Sequence, residues 1–271
     1  MKKEKSGKKE KHFSKVHNIS LGYATFKQTV ASYKKTEIMK KATYALLFTM
    51  LTLTTTLAAF AQTEETREVS GFHHVSSAGP FNVYININGT ESLKILANSD
   101  VIKDIETIVD NGNLKIRFKH REEWQHENAG KIDIYVTAKS LSGLSNAGSG
   151  KIKVDGDMDA EKVDISLAGS GDISSAVKSG NLHISISGSG SVHLNGRADD
   201  THVSIAGSGN LLGKSLKTVS ASISIAGSGS AFLDAEKEIS ASIAGSGNVV
   251  YSGNANVDSR TIGSGRVTKE N

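Results

Sequence analysis

The stretch His183-Ile-Ser-Ile-Ser-Gly-Ser-Gly190 occurs again nineteen residues later as His202-Val-Ser-Ile-Ala-Gly-Ser-Gly209, and this repetition is the main indication of the fold. The Gly-Ser-Gly triplet occurs seven times in the 271-residue chain, at spacings of 21, 19, 19, 20, 18 and 18 residues. The triplets begin at Gly148, Gly169, Gly188, Gly207, Gly227, Gly245 and Gly263, and they end at Gly150, Gly171, Gly190, Gly209, Gly229, Gly247 and Gly265. A nearly fixed period of this length is typical of a repeat protein whose copies stack.

The residues before each triplet alternate between apolar and polar. In the third copy Leu182, Ile184 and Ile186 are apolar, whereas His183 and Ser185 between them are polar. This period of two predicts a β-strand with one buried face. An apolar residue four positions after the first glycine of each triplet predicts a second, short strand. The triplet is then the corner between two strands, where glycine reaches positive φ without a Cβ clash.

These strands predict an all-β fold, a right-handed parallel β-solenoid (β-helix) of about seven Gly-Ser-Gly coils over residues 141–268. One copy has too little apolar surface to fold alone, so we expect copies to stack about 4.8 Å apart. A β-propeller is disfavoured because each blade needs about twice as many residues. Polar residues interrupt the apolar positions at Asn146, Ser259 and Thr261, and we expect these residues to lie on solvent-exposed terminal coils.

Residues 62–140 form a smaller, β-rich N-terminal half without triplets. Alternating apolar residues predict four strands, which begin near Phe81, Leu93, Leu114 and Ile132. Asn111-Gly112 predicts a tight turn, and Asp100 is expected to cap a short helix that carries Val101, Ile105 and Ile108. We expect this half to pack onto or extend the solenoid and to cover its open end.

The first 61 residues predict export. Two lysines precede an apolar run from Tyr44 to Phe60, which is typical of a signal peptide over residues 39–61. A retained membrane anchor is the alternative, since the run is just long enough to span a bilayer. Residues 1–38 are expected to be a misassigned or disordered extension. The expected location is the periplasm, the outer membrane surface or the extracellular medium, with membrane contact only through the signal peptide before cleavage.

Charge and cysteine content exclude several classes of function. Residues 1–61 hold 12 lysines and 3 glutamates, so residues 62–271 keep 20 basic and 25 acidic residues and a net charge of about −5. This balance argues against a nucleic-acid partner, because tracking phosphates requires a basic surface. The absence of cysteine excludes disulfides, thiolate metal sites and cysteine nucleophiles. We expect no cofactor.

Three sequence features together resemble a known bacterial family. They are the opening strand Gly-Pro-Phe-Asn-Val-Tyr-Ile over residues 79–85, the serial Ile-Ala-Gly-Ser-Gly copies, and the closing Ile-Gly-Ser-Gly-Arg-Val-Thr-Lys over residues 262–269. The family is the putative auto-transporter adhesin, head GIN domain, of Bacteroidetes envelopes, and the likeness extends over residues 69–269. It implies an exported β-helical protein with an adhesive role, and it supplies no catalytic residue.

A column of serines is the candidate binding surface. The residue three positions before each triplet is serine in six copies and arginine in the seventh. We call these six the serine column: Ser145, Ser166, Ser185, Ser204, Ser224 and Ser242. One interpretation is an ordinary solvated face of a half-buried sheet. The other is a polar surface whose hydroxyls, about 4.8 Å apart, meet a repetitive ligand such as a glycan.

Two histidines stand beside the serine column. His183 and His202 occupy one position in successive copies, and Asp164 precedes them in the copy before. A shared metal ion is one interpretation, but no third histidine or orienting partner is evident, so we predict no metal site. Both histidines are assigned with the serines to ligand binding.

Other constellations point elsewhere. There are two acidic pairs, Asp155 with Asp157 and Asp199 with Asp200. A glycan-cleaving β-helix enzyme needs two carboxyl groups on opposite sides of a groove, so these pairs would suit it only if they faced each other across one. We expect both pairs to lie in turns between coils, where aspartate is common. An apolar column of Leu212, Phe232 and Val250 follows the fourth, fifth and sixth triplets. One interpretation is an outward set that docks the N-terminal half or another subunit, and the other, which we expect, is packing within the core of the chain.

The sequence therefore predicts a non-enzymatic, adhesin-like binding protein of the cell envelope or surface. Its expected partner is a glycan or an envelope protein, and a homo-oligomer is also compatible with the repeats. Two alternatives stay open. One is a polysaccharide-active β-helix enzyme, and the other is a self-associating structural module.

Overall fold

The computed structural model describes residues 32–37, 39–43, 63–119 and 130–270. The chain divides into two compact units, Met1–Ala61 and Gln62–Asn271. In the first unit residues 32–37 and 39–43 are helical. No helix within the described ranges is long and apolar enough to cross a membrane. The predicted apolar run from Tyr44 to Phe60 lies outside the described residues.

Within residues 63–119 and 130–270 the second unit contains seventeen strands and one short helix. Its N-terminal part comprises β1 (Thr63–Arg67), β2 (His74–Ala78), β3 (Asn82–Ile87), β4 (Ser92–Ala97), α1 (Ser99–Asp104), β5 (Ile105–Asp110), β6 (Asn113–Phe118) and β7 (Asp133–Ala138). The repeats comprise β8 (Gly143–Gly148), β9 (Lys151–Asp159), β10 (Lys162–Gly169), β11 (Asp172–Gly188), β12 (Ser191–Gly207), β13 (Asn210–Gly227), β14 (Ser230–Gly245), β15 (Asn248–Ser252), β16 (Asn256–Gly263) and β17 (Arg266–Lys269).

Parallel pairing between successive copies confirms the predicted solenoid. Each strand that leads into a triplet pairs in register with its counterpart one copy on, as Ser185 does with Ser204 and Ser204 with Ser224. We call this array the first ladder. The strands that leave the triplets form the second ladder, in which Val192 pairs with Leu211. Residues at the same place in the repeat are therefore spatial neighbours.

The glycine corners stack directly on one another. The first glycine of every triplet has positive φ, for example +120° at Gly169. The N–H groups of Ser189 and Gly190 both donate to the Gly169 carbonyl of the coil before, at 2.9 and 3.0 Å. A Cβ on Gly171 would lie 2.1 Å from the Gly150 oxygen. The corners therefore require glycine both for its conformation and for the close approach of neighbouring coils.

The inward positions form one continuous core, and one expectation about it is wrong. Ser259 and Thr261 are exposed as predicted for a terminal coil. Asn146, however, is completely buried, and its Nδ2 donates to the Gly150 carbonyl at 2.7 Å. The reason is that its coil is not terminal, because β2 pairs with β8 on the side away from β10.

The N-terminal half extends both ladders, as expected. β2 lies between β6 and β8 in the first ladder, and β3 lies between β7 and β9 in the second, all in parallel. The coil formed by β2 and β3 is therefore inserted between a later segment and the repeats. All four predicted strands are present, and the predicted turn at Asn111-Gly112 joins β5 to β6, with positive φ at both residues.

The far N-terminal end is covered by antiparallel strands and α1. β5 pairs with β6, β4 pairs with β7, and β1 pairs with β4. The helix begins two residues earlier than predicted, because Asn98 and not Asp100 is its N-cap residue and Asp100 lies in its first turn. It also ends earlier, so Ile105 begins β5 and is fully buried, while Ile108 is exposed on that strand.

Candidate binding groove on the serine face

The serine column lies on the outward face of the first ladder. Its six members pair neighbour to neighbour, from Ser145 through to Ser242. The structure adds Ser76, which pairs with Ser145 and which the sequence analysis missed because its strand ends at Ala78-Gly79-Pro80 instead of a triplet. Arg260 pairs with Ser242 at the other end. The result is an uninterrupted row of hydroxyls along the solenoid axis.

A second row runs beside the serine column. In stacking order it consists of Asn113, His74, Gly143, Asp164, His183, His202, Ser222, Ser240 and Asp258. The two predicted histidines are adjacent, and their rings stack with centroids 4.9 Å apart and planes 8° from parallel. His74 and Asn113 were not predicted, because only the inserted coil of β2 and β3 brings them into this row.

Asp164 connects the histidine pair to a lysine. Its Oδ1 lies 4.0 Å from His183 Nδ1, and its Oδ2 lies 3.2 Å from Lys162 Nζ. His183 Nδ1 is itself buried and has no hydrogen-bond partner among the described residues. The Nδ1 atom of His183 is therefore shielded from solvent.

Glycine at position 143 makes room for His74. A Cβ on Gly143 would lie 1.8 Å from His74 Cδ2, so the imidazole occupies the space a side chain would fill. Burial, with a smaller contribution from nearby His73, holds the pKa of His74 below its ordinary value of 6.5, although Asp164 acts in the opposite direction. The His74 ring is therefore neutral at pH 7 and can both donate and accept a hydrogen bond.

Together the two rows line a groove of about 630 Å³, which we call the serine-face groove. Its lining includes His74, Ser76, Asp164, His183 and His202, with the column from Ser145 to Ser224. Ser242 of the predicted set lies beyond the lining residues. Serine hydroxyls and the neutral His74 ring both donate and accept hydrogen bonds, so the lining offers donors and acceptors to a bound molecule. Within the described ranges no group of three or more His, Asp or Glu side chains is arranged to hold a metal ion.

The predicted acidic pairs do not line the serine-face groove. Asp155 and Asp157 flank Gly156 and line a second groove, of about 570 Å³, on another side of the solenoid. Asp199 lies 3.5 Å from Arg197 in an exposed ion pair. Both pairs lie within strands, β9 and β12, and not in the expected turns. They therefore do not face each other across the serine-face groove.

The apolar column lies outside the core, contrary to expectation. Leu212, Phe232 and Val250 pair in the second ladder and are half-buried, while their inward neighbours such as Leu211 are fully buried. Strand alternation is the reason, because adjacent residues point to opposite faces. Leu212 and Phe232 line the second groove.

Comparison with known proteins identifies a family and a set of similar folds. The family model described as "Putative auto-transporter adhesin, head GIN domain" matches residues 71–255. No curated protein is significantly similar to this chain.

Several solved structures share the fold, among them these three. A putative adhesin from Bacteroides fragilis has 22% identity and a TM-score of 0.72, with 78% of this chain and 98% of that chain covered. A putative lipid binding protein from Parabacteroides distasonis has 22% identity and a TM-score of 0.63, with coverages of 77% and 96%. A putative adhesin from Parabacteroides merdae has 18% identity and a TM-score of 0.61, with the same coverages.

Proposed function

Since the chain belongs to the putative auto-transporter adhesin family, head GIN domain, we propose that it is an exported, non-enzymatic binding protein of the cell envelope or surface. The resemblance drawn from the repeats is thereby confirmed. The family and the similar structures are described as adhesins or binding proteins, which supports binding rather than catalysis. In this proposal the ligand is a glycan and the serine-face groove holds it.

The row of evenly spaced hydroxyls in the groove carries this proposal. Each coil presents the same serine, so the groove repeats its chemistry at the strand spacing of about 4.8 Å. A polymer of similar sugar units can therefore make the same hydrogen bond at several coils. The stacked rings of His183 and His202 add flat surface beside the serines.

Removing hydroxyls from the centre of the groove tests the proposal. The variant Ser185→Ala, Ser204→Ala, Ser224→Ala is compared with wild type for retention on immobilised neutral and acidic polysaccharides. Three hydrogen bonds at about 0.5–1.5 kcal/mol each correspond to roughly a tenfold to thousandfold loss of affinity. Wild type that is retained on no polysaccharide would overturn the glycan assignment.

The matched control removes serines from the corners of the same three coils. Ser189, Ser208 and Ser228 are the exposed central residues of their triplets and lie outside the groove lining. Their combined replacement by alanine should leave retention unchanged. Equal losses in both triple variants would show that the groove hydroxyls have no special role.

An apolar ligand in the second groove is a second candidate. Leu212 and Phe232 line that groove beside His193, and one structure of similar fold is described as a lipid binding protein. Phe232→Ala should then weaken binding of a fluorescent fatty acid without affecting polysaccharide retention. Absence of fatty-acid binding by wild type would remove this candidate.

Export is the remaining part of the proposal, and the sequence of residues 39–61 supports it. The protein recovered from fractionated cells should begin at Gln62 and be found in the periplasm, at the outer membrane surface or in the medium. An intact N-terminus on protein from the inner membrane would favour the retained anchor.

A further inference from the structure

Among the strands in residues 63–119 and 130–270, β16 at the C-terminal edge of the first ladder is the one that is exposed at every residue. β16 pairs with β14 on one side, and all eight of its residues are exposed. Four large apolar side chains are exposed in ranges 63–119 and 130–270, and two of them, Val257 and Ile262, lie on β16. Exposed strand edges of this kind readily pair with another strand.

We propose that β16 pairs antiparallel with β16 of a second copy, around a two-fold axis that passes through Ser259. The first ladder then runs without a break from one copy into the other. A two-fold interface of this kind brings the same surface of each subunit together, so it closes as a dimer and does not grow into a filament.

Strand geometry and charge select the axis at Ser259. A two-fold axis perpendicular to the sheet keeps outward residues opposite outward residues, so it must pass through a residue. An axis at Asp258 would place two aspartates opposite each other, and an axis at Arg260 would do the same with two arginines. Like charges directly opposite are destabilising. An axis at Ser259 instead places Asp258 opposite Arg260 of the partner subunit, twice.

The same register also brings β-branched side chains together on the inward face of the sheet. It places Val257 opposite Thr261 of the partner subunit, again twice. Both are β-branched and both are exposed here, although the residues they stack on in β14, such as Ile239 and Ile243, are buried. Cross-strand pairs of β-branched side chains stabilise antiparallel sheets. Pairing therefore covers the end of the core.

A second copy joined through its C-terminal end fits better than one joined through its N-terminal end. At the N-terminal end α1 and β5 supply Val101, Ile102 and Ile105, each at most 2% exposed. These three side chains are therefore covered at that end. The C-terminal end instead combines a free strand edge, two exposed large apolar side chains and opposite charges that would pair across the two-fold axis.

Charge reversal tests the proposal. The protein purified from cells that express the full chain is studied by sedimentation velocity across a wide concentration series. Wild type should form a dimer, and Asp258→Arg and Arg260→Asp should each weaken the dimer by roughly tenfold or more. The double variant, which exchanges the two charges, should recover it. Asp155→Arg, which changes an exposed aspartate far from β16, serves as the control and should dimerise like wild type.

Circular dichroism confirms that each variant is folded before it is compared. A wild-type protein that stays monomeric throughout the series would overturn the proposal. So would single variants that dimerise like wild type, or a double variant that stays as weak as the singles.

Discussion

At its N-terminal end the solenoid core is covered by α1 and antiparallel strands, whereas at its C-terminal end the core-facing side chains of β16 are exposed. Arg67 helps to hold the N-terminal cover in place, since its guanidinium donates to the carbonyls of Ile102 and Ile105 at 3.1 and 2.8 Å. Because each coil contacts only its neighbours, we expect similar coils to differ in stability according to what lies beyond them.

A corner substitution should have the largest effect, and the effect should depend on position. A Cβ would lie 2.1 Å from a backbone oxygen at Gly171 and 2.4 Å at Gly265, so both sites are tight. Gly171→Val should lower the free energy of unfolding by more than about 4 kcal/mol, because the coils on both sides prevent the backbone from moving to relieve the clash. Gly265→Val should cost less than about 2 kcal/mol, since the last coil can shift. Urea denaturation measures the free energy of unfolding of both variants. Equal losses of stability would contradict the expected difference between inner and terminal coils.

Core truncations at the two ends should come next. Ile105→Ala removes a fully buried side chain from the covered end and should cost about 2–5 kcal/mol. Val257→Ala removes a side chain that is 38% exposed and should cost less than about 1 kcal/mol. Denaturation is measured at low protein concentration, where the proposed dimer is dissociated and does not contribute to the stability. A Val257→Ala variant as unstable as Ile105→Ala would show that the C-terminal end is not open.

Loss of the Arg67 contacts should have a smaller effect. Arg67→Met keeps most of the aliphatic stem and leaves the two backbone carbonyls without this donor, which should cost about 1–3 kcal/mol. The comparison variant, Arg260→Met, removes an exposed charge and should change monomer stability by at most about 0.5 kcal/mol. If thermal unfolding shows the same shift for both, Arg67 does not stabilise the covered end.

The smallest expected effect is a pH dependence at the covered end. A hydrogen bond from Lys139, assisted by the N–H groups of Phe72 and Gly71, holds the pKa of Glu91 below its ordinary value of 4.5. The stability that Glu91 contributes is therefore complete above about pH 4.5 and is lost as the pH falls through the lower folded-state pKa. Glu91→Gln should be less stable than wild type at pH 7, and the difference should shrink in acid. A difference that stays constant would contradict this account.

The repeats were predictable from sequence because one local rule, glycine corners between alternating strands, recurs seven times. The same rule located both histidines and those five of the six column serines that line the groove. It could not locate Ser76, His74 or Asn113, since the coils that carry them lack the triplet. Their placement depends on β2 lying between β6 and β8, a pairing of segments distant in sequence. The burial of Asn146 follows from the same insertion and was hidden for the same reason.

The most direct test of the account measures one distance along the serine column. The chain contains no cysteine, so Ser166→Cys and Ser242→Cys allow two spin labels to be attached specifically. These residues are 76 apart in sequence but only four coils apart in the ladder. Pulsed electron paramagnetic resonance should give a narrow distribution of distances between the labels near roughly 20 Å, at about 4.8 Å per coil. A broad distribution, or one centred far beyond this distance, would show that the coils do not stack in this register.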